Sequence, residues 1–341
     1  MFRKSIKISI VLVYLVIIAG AMVRMTGSGM GCPDWPKCFG YYIPPTEISE
    51  LEWAPERTFK KGQVIIHNES LYVAKENFTT SQSYSDEHWE LYTKHDYATF
   101  NVWHTWIEYI NRLFGALSGF AILYMAILSF RKWKTNKQLT VLSWISVVLL
   151  VFQAWLGATV VYSVLSPVKI TIHMVMALVI LAVLLYILYV AQDKPRSYLT
   201  SKNYKSLLIF AVTLTLIQVV LGTQVREFVD ERVKEVGYSS PALWLENPRL
   251  DFYLHRSFSI IVVIVNLLLW YYNKKKNYGL KYLSLLIWLI LAEAFTGILM
   301  YYFDFPVLSQ PLHLVLATLL FGVQFYILLE AFQTNRTSKS L

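Results

Sequence analysis

Long apolar runs recur along the whole chain and are separated by short polar connections. Because about 20 apolar residues in a helix cross the hydrocarbon core of a bilayer, eight of these runs are long enough to span one. The pattern predicts an all-α membrane protein with eight transmembrane helices. They lie at approximately 6–25, 105–130, 138–162, 168–191, 205–225, 252–273, 280–302 and 308–332.

One segment between the first two spans has a different pattern. In residues 51–95, KKGQVIIHNESLYVAKENF predicts two short strands around a polar His-Asn-Glu turn, closed by Trp89. The segment resembles the small aromatic β-modules of bacterial chitinases through Trp53, Tyr72 and Trp89. That resemblance implies sugar binding, but we favour a self-packed β-rich insert.

Composition and charge agree with a membrane protein. Apolar residues make up 56% of the chain and charged residues only 16%. Lys and Arg dominate the two termini and the connections after the second, fourth and sixth spans, where Asp193 is the single acid. Residues 26–103 instead hold eleven acidic and six basic residues. Because Lys and Arg concentrate in cytoplasmic loops, we predict cytoplasmic termini and an extracytoplasmic 26–103 segment. The net charge of +9 then reflects topology, and we predict no nucleic-acid partner.

The chain contains two related halves. FQAWLG in the third span and AEAFTG in the seventh place Gly157 and Gly297 sixteen residues before His173 and His313. A shared offset of this kind predicts a duplication. The residues twenty positions before these histidines also correspond, and they are Gln153 and Glu293.

The remaining spans match in the same way. GAMVR, from Gly20 to Arg24, resembles GTQVR, from Gly222 to Arg226. EYINR resembles FYLHR, so that Asn111 stands where the second half has a histidine. We therefore predict two pseudo-symmetric four-helix bundles, formed by 1–25 with 104–191 and by 205–332.

Three histidines fall near the same ends of inward-running helices, which puts them at one depth. Histidines projecting from facing helices of a bundle can hold haem iron, and basic residues beside them can neutralise propionates. The second half therefore predicts a bis-histidine haem site with His255 and His313 as iron ligands. Arg226 and Arg256 are the candidate propionate partners.

Each of these residues also has a simpler interpretation. A lone histidine at the end of a span often makes interfacial hydrogen bonds, and an arginine there often extends to the lipid headgroups. The repeated positions favour ligation for His255 and His313, because an interfacial role does not require a constant offset.

These motifs, together with RMTGSGMGCPDWPKC after the first span, resemble the haem A synthase family over nearly the whole chain. The resemblance implies an eight-helix enzyme of the bacterial inner membrane that oxidises a methyl group of haem O, through an alcohol, to the formyl group of haem A. It also implies a haem B cofactor in the C-terminal half and a haem O site in the N-terminal half. Haem O synthase and an electron donor are the implied partners.

The family pattern transfers to this chain with one exception. His255 and His313 match the cofactor pair, His173 matches a histidine of the substrate half, and Glu108 matches the family's important glutamate. Asn111 departs from the pattern, which has histidine there. The candidate substrate-haem residues are His173, Asn111, His104, Arg24 and Arg112.

Two of these residues keep alternatives. His104 is seven residues before Asn111, about 10 Å along the helix axis, so we interpret it as a supporting or redox-path residue. Direct ligation by His104 is the less favoured alternative, because it requires a shifted haem or a distorted helix start. Glu108 is the candidate catalytic residue, as a proton carrier or as negative charge beside the reacting edge, but it could instead pair with Arg112 or Arg24.

Cys32 and Cys38 are the only cysteines. Outside the cytoplasm they favour a disulfide, either as a loop staple or, as the family resemblance implies, in passing reducing equivalents.

Two other classes of function fit a haem-binding bundle: a di-haem b-type electron carrier, and a haem transporter or chaperone. A carrier should have two bis-histidine sites. This chain supplies one complete pair, which favours the enzyme.

Overall fold

The computed structural model describes residues 1–192 and 198–333. Within them, eight helices are long and apolar enough to cross a membrane, which confirms the predicted number. The charged residues Asp193, Lys194, Arg196, Arg336 and Lys339, which entered the topology prediction, lie outside the described ranges. The helices are α1 (Phe2–Met25), α2 (Val102–Ser129), α3 (Lys137–Tyr162), α4 (Pro167–Val190), α5 (Lys202–Val236), α6 (Leu250–Lys275), α7 (Leu283–Tyr302) and α8 (Ser309–Phe332).

Helix α5 is longer than its predicted span and continues eleven residues further, to Val236. In the extension, Arg226 forms an ion pair with Asp230 at 2.6 Å, one turn later. Val233 is buried in a small cluster with Trp244. Pairs at this spacing stabilise helical turns without any bilayer. The apolar run therefore predicted the membrane-crossing part of α5 and not its full length.

The chain divides into two compact units. One contains residues 1–14, 119–150 and the described residues from Met174 onward. Within it α5 packs against α6, α6 against α7, α7 against α8, and α8 against α5. These four helices form a bundle around a buried apolar core that includes Leu208, Leu269, Leu286 and Ile327.

The other unit contains residues 15–118 and 151–173. It includes the predicted β-insert, which has five strands: β1 (Thr58–Phe59), β2 (Val64–His67), β3 (Ser70–Ala74), β4 (Phe78–Thr79) and β5 (Trp89–Leu91). Strands β2 and β3 form the expected hairpin. The two turn residues, Asn68 and Glu69, both have positive φ, as a tight two-residue hairpin turn requires. Strand β5 adds to β3, and β1 pairs with β4.

The aromatic residues of the insert pack against one another. Trp89 is buried, and its ring meets Phe59 edge-on at a centroid distance of 5.0 Å. Trp53 and Tyr72 pack against the same cluster. This arrangement supports a self-packed insert, because the rings that suggested sugar binding contribute to its core.

Candidate functional site

Each candidate histidine of the C-terminal bundle faces a glycine on the preceding helix. A Cβ atom at Gly222 of α5 would lie 3.1 Å from Cε1 of His255 on α6. A Cβ atom at Gly297 of α7 would lie 3.5 Å from Cε1 of His313 on α8. The glycines leave room for the imidazole rings beside the helix backbone. The offsets seen in the sequence thus correspond to direct contacts.

The other unit has the same arrangement with one histidine and one asparagine. A Cβ atom at Gly157 of α3 would lie 3.4 Å from Cε1 of His173, and one at Gly20 of α1 would lie 3.8 Å from Oδ1 of Asn111. That oxygen is buried and has no hydrogen-bond partner among the described residues. Asn111 therefore occupies, relative to its glycine, the position that histidine has in the other three pairs.

Glutamine side chains fix two of the histidine-bearing helices. Gln153 Nε2 donates to the backbone carbonyl of His173 at 3.0 Å, and Gln218 Nε2 donates to that of His255, also at 3.0 Å. Sequence reasoning identified Gln153 and missed Gln218. The signal was present, because each glutamine precedes its glycine by four residues.

The ring geometry of His255 and His313 fits a shared iron. Their centroids are 6.3 Å apart, with an angle of 71° between the ring planes. A metal–imidazole bond is about 2 Å long and the ring nitrogen is roughly 1.2 Å from the centroid, so two rings on opposite sides of one metal have centroids roughly 6.4 Å apart.

The two arginines of this bundle have different surroundings. Arg226 hydrogen-bonds to Gln310 on α8 and pairs with Asp230. The Arg256 guanidinium lies over the rings of Phe252 and Tyr253, at 5.7 and 5.6 Å from their centroids. Both residues are near the helix turns that carry the histidines, so their placement is compatible with the predicted propionate contacts.

Glu108 has a defined set of partners at the start of α2. Its Oε1 pairs with Arg112 at 2.6 Å, and its Oε2 accepts a hydrogen bond from the Cys32 backbone N–H at 2.9 Å. The carboxyl group is almost fully buried, with 4% of the residue exposed. Of the alternatives open from the sequence, the pairing with Arg112 is therefore present.

The loop between the cysteines wraps around the Arg112 guanidinium. Arg112 donates to the carbonyl oxygens of Asp34 at 2.7 Å, Lys37 at 2.8 Å and Cys32 at 3.2 Å. Burial raises the pKa of the Asp34 carboxyl, while the nearby Arg112 charge and a hydrogen bond from the Gly40 N–H act to lower that pKa. We call residues 32–38 the Cys loop.

His104 lies in the first turn of α2 and contacts the chain just before the Cys loop. A Cβ atom at Gly31 would come within 2.4 Å of the His104 carbonyl oxygen, so only glycine fits there. The Thr105 hydroxyl donates to the Gly31 carbonyl at 2.7 Å. His104 is thus placed beside the Cys loop, two helical turns from Asn111. Arg24 is half-buried in the last turn of α1.

Cys32 and Cys38 form a disulfide, as predicted. Both residues are buried, with exposures of 0% and 1%, in a cluster with Phe39 and Leu51.

We expect mass spectrometry of unreduced protein to find the two cysteines linked. Mild reductant should break the disulfide far faster in unfolded than in folded protein, because the folded protein shields both sulfurs.

A Cys32→Ala variant should release Cys38 for alkylation after denaturation, while the unreduced parent protein takes up no label. Two labelled thiols in parent protein purified without reductant would contradict the disulfide.

Comparison with known proteins shows the family. The COX15-CtaA family model, described as cytochrome oxidase assembly protein, matches residues 4–325. The chain belongs to this family. The match covers all eight helices up to Phe325, including every candidate haem residue, and confirms the family predicted from the motifs.

Several bacterial relatives carry the name heme A synthase. The protein of Ehrlichia canis is 25% identical, with 93% of this chain and 89% of the relative covered, and that of Shouchella clausii is 26% identical, with 84% and 82% covered. The protein of Shewanella oneidensis is 26% identical over 64% of this chain, and that match spans about half (54%) of the relative's length. The names agree although the identities are low.

Proposed function

We propose that this protein is a haem A synthase, a multi-pass enzyme of the bacterial inner membrane that oxidises haem O to haem A. Membership of the family, the shared name of the relatives and the eight spans support this function. The family implies a haem cofactor and a haem substrate, and both need binding sites in the helix bundles.

One observation carries the assignment of the two sites. In four places a side chain faces a glycine at the repeated positions of the two halves. Three of these side chains are histidines, and the fourth is Asn111. The C-terminal bundle can therefore supply two imidazoles to one iron, whereas the N-terminal half can supply only His173 at these positions. We propose that His255 and His313 hold a resident haem B, and that His173 binds the iron of exchangeable haem O.

The division of the chain follows from this proposal. The substrate half comprises 1–25 and 104–191, and the cofactor half comprises 205–332. The 26–103 segment lies outside the cytoplasm and the termini inside, as the distribution of Lys and Arg favours. Both haem sites are then near the extracytoplasmic ends of the helices.

Bound haem B supplies one-electron redox chemistry in the cofactor half. The chain's own residues hold it there: two imidazoles on the iron, and Arg226 and Arg256 where positive charge can meet the propionates. Arg24 and Arg112 are the corresponding basic residues of the substrate half. Because the bonds of Arg112 to Glu108 and to the Cys loop occupy both of its terminal nitrogens, we propose that it contributes long-range positive charge rather than direct propionate contact.

Glu108 lies three residues from Asn111 on the same face of α2. We propose that it presents fixed negative charge or a proton site near the reacting edge of haem O. Its bonds to Arg112 and to the Cys32 N–H hold the carboxylate in one orientation, which favours electrostatic stabilisation without rearrangement. His104, beside the Cys loop, is then a supporting or redox-path residue. Haem O synthase as the source of substrate and a separate electron donor complete the proposed partners.

The test of function is pigment analysis. Cells that make haem O but no haem A should accumulate haem A when they express this protein, as measured by chromatography of extracted haems. Cells expressing a His173→Ala variant should retain haem O, since the substrate loses its protein ligand. Haem B and haem O left unchanged by well-expressed parent protein would contradict the synthase and favour a carrier or transporter.

A further inference from the structure

The imidazole of His313 is held by a hydroxyl group on the neighbouring helix. Thr296 Oγ1 lies 2.9 Å from His313 Nδ1, and the same hydroxyl donates to the backbone carbonyl of Glu293, also at 2.9 Å. With its own proton on that carbonyl, the hydroxyl oxygen can accept the Nδ1–H of the imidazole. This arrangement favours the tautomer with the proton on Nδ1, which leaves the Nε2 lone pair for a metal.

The other two histidines have no such hydroxyl partner. Nδ1 of His173 is buried without a hydrogen-bond partner among the described residues, whereas the backbone of Gln218 acts on the His255 ring. The sequence gives the reason, because Thr296 directly precedes the glycine that faces His313. The residues that directly precede the glycines facing His255 and His173 are Leu221 and Leu156.

Glu293 cannot replace Thr296 in this role. Its Oε1 lies 3.3 Å from His313 Nε2, on the opposite side of the ring from the hydroxyl. Iron bound at Nε2 would take the place of that contact. The Thr296 hydrogen bond at Nδ1 is compatible with ligation and can persist when haem is bound.

We propose that Thr296 is a positioning residue that fixes the orientation of His313 and strengthens it as an axial ligand. This rests on the proposed function, in which His255 and His313 hold the resident haem. A hydrogen bond from the far nitrogen of a ligating histidine raises its basicity, which favours ferric over ferrous iron. In this chain a hydroxyl group is placed to accept such a hydrogen bond at His313, and among the described residues none does so at His255.

The experiment uses Thr296→Val, which keeps the shape and removes the hydroxyl, and Thr296→Ser, which keeps the hydroxyl. The matched control is Thr318→Val on α8, whose hydroxyl donates to the Val315 carbonyl at 2.8 Å and makes no hydrogen bond to a candidate ligand among the described residues. The measurements on purified full-length protein are haem content, the low-spin ferric spectrum and the midpoint potential of the resident haem.

We expect Thr296→Val to weaken haem retention roughly tenfold, within the range seen when such partners are removed from metal sites. We also expect a higher midpoint potential: a tenfold loss of the ferric preference corresponds to about 59 mV for one electron. Thr296→Ser and Thr318→Val should both stay near the parent values.

Two results separate failure of this proposal from failure of the site assignment. If Thr296→Val behaves like Thr318→Val while His313→Ala loses the low-spin spectrum, His313 is a ligand and the role of Thr296 is wrong. If neither Thr296→Val nor His313→Ala changes the spectrum, the haem site itself is wrong, and the role of Thr296 fails with it.

Discussion

Replacing either His255 or His313 by alanine should abolish the low-spin spectrum of the resident haem. The two rings are spaced as two imidazoles on one iron require, and each faces a glycine that leaves room for it. With one imidazole removed, the iron becomes five-coordinate and high-spin, or the haem is lost. Optical and electron paramagnetic resonance spectra of the purified protein, together with its haem-to-protein ratio, measure both outcomes.

The control for this pair is His88→Ala. His88 is in the β-insert, where it pairs with Glu76 at 3.0 Å, and its loss should leave the haem spectra unchanged. Retention of the full low-spin signal in both His255→Ala and His313→Ala would remove the assigned ligands. Loss in only one of them would mean that another side chain supplies the second axial bond.

The positions of the haem ligands could be predicted from sequence because the chain repeats itself. A fixed offset between a glycine and a histidine is a local property of two adjacent antiparallel helices, and a duplicated sequence shows it twice. The structure adds the reason for the offset, which is contact between ring and backbone. Gln218 follows the same rule and could have been found by extending the comparison four residues.

Other contacts had no repeat to reveal them. Thr296 acts on His313 through a hydrogen bond between neighbouring helices, and no matching threonine marks the related sites. The link between Glu108 and the Cys32 N–H joins residues 76 positions apart. Such contacts depend on the path of a loop, which hydrophobic periodicity does not specify. The charged extension of α5 was missed for a related reason. The length of an apolar run indicates how much of a helix crosses the bilayer, and it does not indicate how far the helix continues beyond it.

The Cys loop changes how Glu108 should be understood. Its carboxylate, the Arg112 guanidinium and three loop carbonyls form one buried polar network, closed by the disulfide. Breaking a buried ion pair by removing one member leaves the other charge without compensation, at a cost of about 3–5 kcal/mol. A catalytic role for Glu108 therefore has to be separated from its structural one. Glu108→Gln preserves the shape and one of the two accepted hydrogen bonds, because only the amide oxygen can accept.

Asn111→His should convert the substrate site into a second bis-histidine site. Oδ1 of Asn111 lies opposite Gly20 as the histidines lie opposite their glycines, so an imidazole there is expected to reach the iron from the side facing His173. In the parent background the resident haem masks a new low-spin signal. The variant is therefore made in protein that also carries His255→Ala and His313→Ala, where any low-spin haem must come from the N-terminal half.

We expect Asn111→His in that background to restore a low-spin signal, and a further His173→Ala change to remove it. Asn111→Gln, which keeps a carboxamide, is the matched control and should give none.

In the otherwise unchanged enzyme, Asn111→His should raise haem occupancy while haem A yield stays level or falls, because tighter binding slows product release. Glu108→Gln should instead keep occupancy and lower conversion, since it removes charge and proton transfer but little volume. If His104 were the working ligand, His104→Ala would empty the site and Asn111→His would change little. Absence of a low-spin signal in Asn111→His, combined with full activity of Glu108→Gln, would make this face of α2 structural only.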